Sequence, residues 1–173
     1  TRESQRAMAS HTGSLAGEDL VYDSAFKQAG VIRVDNLSEL IEIPKVLATQ
    51  PPPRGNRLAI VTISGGVGVM GIDVASTHGL TLAQFSRGTL ERLAAVSPVL
   101  ASNPVDLGPG LPAYQVPGGV ASRFPAMIDA ILDDENVDCL AMACPWGVSG
   151  KIPEVFGALV KRNTKTMAVW AAG

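Results

Sequence analysis

One histidine lies in a run of small and polar residues, Ser10, His11, Thr12, Gly13, Ser14, Leu15, Ala16 and Gly17, ahead of a helix-period segment. An imidazole nitrogen is nucleophilic near neutral pH, and small neighbours let a phosphate or a second backbone come close to it. The residues alone leave two readings: a solvated loop histidine, and a nucleophile that accepts phosphate. The other histidine, His78, precedes Gly79 near a helix end and is the second candidate if His11 is inert.

A second constellation runs Thr62, Ile63, Ser64, Gly65, Gly66, Val67, Gly68, Val69, Met70, a buried strand passing through a glycine turn into a helix. Such a turn presents free backbone N–H groups and the positive end of a helix dipole at the C-terminal edge of a sheet, which suits a phosphate on Gly65, Gly66, Val67 and Gly68. It is not a dinucleotide fingerprint, because the third glycine is missing and no acidic residue follows a second strand to hold a ribose. A tight turn without a ligand is the other reading. A third stretch, residues 101–110, is turn-rich, and Asn103, Asp106 and Gly108 should lie at the same sheet edge, as ordinary turn residues or as supports for a site.

The elements that must hold these loops follow from hydrophobic pattern. Residues 58–63, 80–85, 139–144 and 167–171 read as buried strands, separated by helix-period segments at 67–77, 89–95, 121–133 and 153–161. This alternation predicts an α/β fold, a doubly wound parallel sheet with helices on both faces. Residues 1–50 form a separate unit with a helix at 20–29, a short strand at 31–34 and a helix at 37–47 that Pro44 interrupts. Residues 51–56, three prolines followed by Arg54, Gly55 and Asn56, read as a stiff connector to a domain over 57–173.

Composition excludes several functions. With 46% hydrophobic and 17% charged residues and a net charge of −2, the 173-residue chain has the makeup of a folded domain, with no basic excess for nucleic acid. Its longest apolar runs fall far short of the roughly 20 residues that span a bilayer, and the polar start carries no signal-type segment, so a cytoplasmic location is expected. Cys139 and Cys144 share one strand about 16 Å apart, beyond the roughly 7 Å reach of a disulfide, and read as small buried residues. No metal-ligand cluster is expected.

Taken in order, the histidine loop, residues 22–34 with Ala29, Gly30, Val31, Ile32, Arg33 and Val34, the glycine turn, and Asn103, Pro104, Val105 and Asp106 resemble the ADP-forming acyl-CoA synthetases, which are succinyl-CoA synthetase-like. The resemblance covers nearly the whole chain. It implies a flavodoxin-like domain at 57–173 preceded by the closing helix–strand–helix of a related domain. It also implies the joining of a small carboxylic acid to CoA with ATP hydrolysed to ADP and phosphate, through an acyl phosphate and a phosphohistidine.

On that resemblance His11 is the phosphate carrier, flanked by Ser10, Thr12 and Gly13. The helix after Ser64 is one of two whose N-termini hold the phosphate. No cofactor is expected to be held tightly here; ATP, Mg²⁺ and CoA belong to ATP-grasp and CoA-binding partners, so this chain alone should not complete the reaction. The family domain would also continue beyond Gly173 with a helix and a strand. The alternatives are a non-catalytic regulatory module of a protein lysine acetyltransferase, which often lacks the histidine, and, from fold alone, a flavin-binding module. One structural expectation follows: residues 31–34 should dock as a parallel strand beside 167–171, within one chain or between two chains of a homodimer.

Overall fold

The computed structural model describes residues 3, 6, 19–109, 120–144 and 164–171. His11 with Ser10, Thr12 and Gly13, and the helix expected at 153–161, lie outside the described residues. Two compact units emerge, Thr1–Lys45 and Val46–Gly173.

In the first unit, α1 (Asp19–Ala29) stops at Gly30, whose φ of 68° only glycine adopts readily. The stop is a Schellman cap: Val31 N–H donates to Phe26 O (2.9 Å) and Gly30 N–H to Lys27 O (3.4 Å). Helix α2 (Leu37–Thr49) opens on a capping box. Glu39 N–H donates to Asn36 Oδ1 (3.0 Å), while Glu39 carboxylate oxygens accept from Asp35 N–H (2.9 Å) and Asn36 Nδ2 (2.8 Å). Pro44 sits inside α2 without ending it. The carbonyl it leaves without a partner belongs to exposed Leu40, where water can meet it.

The strand expected at 31–34 does not form. Among the described residues these four pair with no strand, and they are tied locally instead. Val31 N–H is spent on the helix cap, and the Arg33 guanidinium forks onto the Asp19 and Asp23 carboxylates of α1. The expected docking beside β5 (Thr166–Ala171) is therefore corrected. That edge is met by the connector: Met167 N–H donates to Gln50 Oε1 (3.3 Å), and the Thr166 hydroxyl donates to Pro51 O.

The second unit is a five-stranded sheet in which every pairing is parallel. Along its path β2 (Thr81–Leu82), β1 (Arg57–Thr62), β4 (Cys139–Cys144) and β5 lie side by side, while β3 (Val105–Asp106) pairs with the far end of β1 on the β2 side. Alternate residues of β1 face opposite cores. Leu58 and Ile60 pack with Cys139 and with Ala75 of α3 (Gly65–Thr77). Ala59, Val61 and Ile63 pack with Leu93 of α4 (Arg87–Val96) and with Met127, Ile128 and Ile131 of α5 (Val120–Asp133). Helices thus cover both faces, as the apolar strands require.

The strand expected at 80–85 is only two residues long: after Ala83 N–H bonds Leu58 O (2.9 Å), the chain turns toward α4, which starts on Ser86 with its hydroxyl accepting from Thr89 N–H. Val105 and Asp106, read as loop, pair with Val61 and Thr62. Cys139 is a free, buried thiol, raised by burial and by Asp138, as a small core residue would be.

The N-terminal end of the sheet is held by the Arg57–Asp138 ion pair and the hydrogen bonds around it. Arg57 Nε and the Arg57 backbone N–H both donate to Asp138 Oδ2 (2.9 Å each), and Nη2 donates to Asp138 Oδ1 (2.9 Å) and Glu135 O (2.7 Å). Hydrogen bonds from Arg57 hold the buried Asp138 carboxyl down at about 2. Asp134 is buried, which alone would raise its carboxyl, but donors from Asn136, Thr89 and Ser86 hold it below the usual range. A Cβ on Gly55 would stand 2.5 Å from Asp138 Oδ2, so glycine is required there.

Because Asp138 titrates lower folded than unfolded, its stabilisation is complete above about pH 4 and is lost as pH falls toward 2. Asp138→Asn should lower the melting temperature by at least about 5 °C at pH 7 and flatten the acid limb below pH 4, read by circular dichroism. Gly55→Ala should lower it comparably by pushing the carboxylate off Arg57.

Candidate functional site

The opposite end of the sheet is built differently. Thr62, fully buried at the close of β1, turns its hydroxyl back on the chain, donating to Ser64 O and accepting from Ser64 N–H, both at 3.1 Å. This fixes a tight exit from strand to helix. Ser64 then stands at the N-cap with extended backbone (φ −145°, ψ 119°), but its side chain makes no capping bond. The first intrahelical bond is Gly68 N–H to Ser64 O at 3.0 Å. The N–H groups of Gly65, Gly66 and Val67 therefore find no partner among the described residues. Gly65 and Gly66 are exposed, and α3 has no acidic residue in its first turn. Three aligned donors with the helix dipole behind them give this terminus the chemistry that suits an anion.

The loop at 103–108 closes on this turn. The Asp106 carboxylate lies against Gly65, its Oδ2 only 2.9 Å from where a Cβ would stand, while its Oδ1 accepts Gly108 N–H at 2.8 Å. A Cβ on Gly108 would meet Ile63 O at 2.9 Å. Pro104 packs on Gly68, where a Cβ would lie 3.2 Å from Thr62 Cγ2 and 3.4 Å from Pro104 Cβ. Asp106 and Gly108 are thus brought to the helix terminus with Gly65, Gly66, Val67 and Gly68.

Asn103 is not. Its carboxamide is consumed inside the sheet, donating through Nδ2 to Leu58 O and Ala83 O and accepting from Ile60 N–H, all at 2.9 Å. His78 is the C-cap of α3, where Gly79 (φ 75°) completes a second Schellman turn with Leu80 N–H on Ala75 O at 2.9 Å. Thirteen residues of helix separate it by about 20 Å from the glycine turn, so it cannot act there. Thr62 and Pro104 stand in the quoted motifs but were assigned no role from sequence. A lone hydroxyl at the close of a buried apolar strand was the available signal for Thr62. Among the described residues no cluster of His, Cys, Asp and Glu could hold a metal ion, and no helix is long and apolar enough to cross a membrane.

Comparison with known proteins decides the family. The model of the succinyl-CoA ligase like flavodoxin domain matches residues 1–47. Acetate–CoA ligase [ADP-forming] II of Archaeoglobus fulgidus is 36% identical over 148 residues, 84% of this chain and 21% of that protein. The alpha subunit of acetate–CoA ligase [ADP-forming] II of Pyrococcus furiosus is 38% identical over 80% of this chain and 29% of its own length. The solved acetyl-coenzyme A synthetase 1 of Ca. Korarchaeum cryptofilum, in complex with phosphate and ADP, superposes with a TM-score of 0.80 at 28% identity, covering 100% of this chain and 37% of that one.

The chain belongs to the ADP-forming acyl-CoA synthetase family. It spans between about a fifth and under a third of the length of the two curated relatives described. Its parallel sheet with helices on both faces is the flavodoxin-like, succinyl-CoA synthetase-type arrangement the resemblance implied.

The two inner glycines of the synthetase turn should respond differently to substitution. A Cβ on Gly66 would meet nothing nearer than Ser64 Oγ at 3.9 Å, so Gly66→Ala should not destabilise the fold and should gain about 0.5–1 kcal/mol. Gly68→Val, which overpacks Thr62 and Pro104, should cost about 1–3 kcal/mol. Chemical denaturation of the two variants checks the split.

Proposed function

We propose that this chain is the phosphoryl-transfer portion of an ADP-forming acyl-CoA synthetase, with His11 as the phosphate carrier and the N-terminus of α3 as a cradle for the carried phosphate. The observation that carries the reading is the uncapped start of α3: three N–H donors, on Gly65, Gly66 and Val67, have no partner among the described residues at the C-terminal edge of a parallel sheet. A phosphoryl oxygen supplies what these donors lack, and the dipole favours its charge. Likeness to a synthetase solved with phosphate and ADP supports the same ligand class.

In this mechanism a ring nitrogen of His11 attacks the terminal phosphorus of ATP, the bond to the bridging oxygen breaks, and ADP leaves. The carboxylate of the acid substrate then takes the phosphoryl group from nitrogen, giving an acyl phosphate and free histidine. The thiolate of CoA attacks the acyl carbon and expels phosphate, leaving acyl-CoA. Mg²⁺ accompanies the nucleotide and neutralises phosphate charge during transfer. This chain contributes the carrier nitrogen and the fixed donors at α3. Because those donors are held by Thr62 and by intrahelical bonds, they need no reorganisation when the charge arrives. ATP-grasp and CoA-binding domains, in the same chain or in separate subunits, supply the nucleotide and thiol sites. The relatives described above are ligases by name, which favours the enzyme over a regulatory module of a lysine acetyltransferase.

With γ-labelled ATP and Mg²⁺, the full-length protein should form an acid-labile, base-stable phosphoramidate on His11. His11→Ala should abolish both labelling and acyl-CoA formation while leaving the melting temperature within about 2 °C of wild type. Full turnover in His11→Ala would overturn the assignment.

A further inference from the structure

We infer that Asn103 is a positioning residue whose side-chain amide completes a half-made backbone rung on the edge of β1, and so fixes Pro104 and Asp106 against the first turn of α3. In a parallel ladder, the residue opposite position i donates its N–H to the carbonyl of i−1 and accepts from the N–H of i+1. About Ala59, the Asn103 carboxamide makes both bonds: Nδ2 donates to Leu58 O and Oδ1 accepts from Ile60 N–H, each at 2.9 Å. Its second amide hydrogen meets Ala83 O at 2.9 Å, the carbonyl left over where β2 ends.

Two strands too short to meet leave this gap. The β2 register covers Arg57 and Leu58, and the β3 register covers Val61 and Thr62. Between them, opposite Ala59, the backbone supplies only the Ala83 N–H to Leu58 O, and no backbone carbonyl meets Ile60 N–H. A carboxamide has the planar C=O and N–H of a peptide unit, with one further donor, and no other side chain of that length offers both. Aspartate would set a carboxylate against the carbonyls of Leu58 and Ala83. Alanine would leave the Ile60 N–H and the Ala83 carbonyl unmet, with Leu58 O keeping only the Ala83 N–H.

Anchoring here has consequences at the site. The next residue, Pro104, presses its ring on Gly68, with Cγ 3.5 Å from a Cβ position there. Three residues on, Leu107 N–H bonds Thr62 O at 2.7 Å and Asp106 reaches Gly65. Asn103 touches no ligand in this scheme. It sets the distance of the loop from the helix terminus, and only this catalytic consequence rests on the reading of α3 given above.

The test compares wild type, Asn103→Ala and Asn103→Asp in the full-length protein, by amide hydrogen exchange and by the rate of phosphate incorporation at His11. In Asn103→Ala, exchange at Leu107 and Gly108 should rise about tenfold or more, exchange in β4 and β5 should rise less than about threefold, and labelling should slow about tenfold. In Asn103→Asp, the melting-temperature gap to wild type should narrow between about pH 8 and pH 5, because a protonated carboxyl regains one donor. The desolvated carboxyl facing two carbonyls has its folded-state titration raised, so the defect grows with pH. Unchanged protection at Leu107 and Gly108, an equal rise across β4 and β5, a labelling rate equal to wild type despite a loosened loop, or a pH-independent defect in Asn103→Asp would each overturn the inference. Absence of label on His11 in wild type would instead sink the proposed function, while the exchange pattern and the pH response would still decide the role of Asn103.

Discussion

One edge of β1 has to be satisfied along its whole length, and no single strand does it. Leu58 O, Ile60 N–H and Thr62 O point to the same side and are met in turn by Ala83 of the β2 end, by the Asn103 amide and by Leu107 after β3. Buried peptide groups left unpaired there would cost about 1–3 kcal/mol each. A two-residue β2 and a two-residue β3 are tolerable only because a side chain bridges them. The break lets the chain leave the sheet after Ala83, build α4, and return at the C-terminal half of β1. It returns where a loop can press on the start of α3, so sheet continuity and the geometry of the helix terminus share one cause.

The two ends of the sheet differ in how far their polar groups are satisfied among the described residues. At the N-terminal end the donors and acceptors are matched. Arg57 spends its guanidinium on Asp138, Asn136 and Glu135, Asp134 accepts from Ser86 and Asn136, and Lys165, whose ammonium is disfavoured by burial, donates to Asp134 O. At the C-terminal end the donors of Gly65, Gly66 and Val67 meet no partner among the described residues, beside an exposed surface. A helix end without a cap forgoes about 1 kcal/mol of local stability. The saturated end of the same sheet offsets that cost, which is the arrangement expected when an exposed terminus serves a ligand.

Elements with a strong period were legible in the residues. The buried run at β4 was bounded correctly, and β1 and β5 to within a residue, because continuous apolar strands require two covering layers. What failed were questions of partnership. Val31, Ile32 and Val34 have strand-forming side chains, yet Val31 N–H is taken by the α1 cap and Arg33 is drawn to α1 carboxylates, outcomes that no propensity encodes. Residues 80–85 were read as a full strand because composition does not reveal that the next rung belongs to a side chain 20 residues away. Asn103 was picked out from its turn chemistry, and its polar group is indeed decisive, but for the sheet instead of the loop. The glycine turn was legible as a candidate anion site because strand, glycines and helix are contiguous in sequence, and Asp106 and Gly108 were placed at the same sheet edge; the contact of the Asp106 carboxylate with Gly65 was not legible, since it depends on the pairing of β3 with β1.

The glycines of that turn bear on the ligand more directly than their motif does. Gly65 is excluded from carrying a side chain by the Asp106 carboxylate, and Gly68 by Thr62 and Pro104, so packing alone accounts for both. Gly66 has room for a side chain on every side that the described protein occupies, and its backbone N–H is one of the three left open. A helical glycine costs roughly 0.5–1 kcal/mol relative to alanine when nothing requires it. Gly88 of α4 is equally open without a positive φ, so an open helical glycine does not by itself mark a ligand; at Gly66 the further observation is an N–H with no partner among the described residues. An oxygen bound at the first turn of α3 would come within contact of the Gly66 backbone and have no space for a Cβ. The position that packing leaves unexplained is therefore the one that a phosphoryl group cradled at this terminus would require to be glycine.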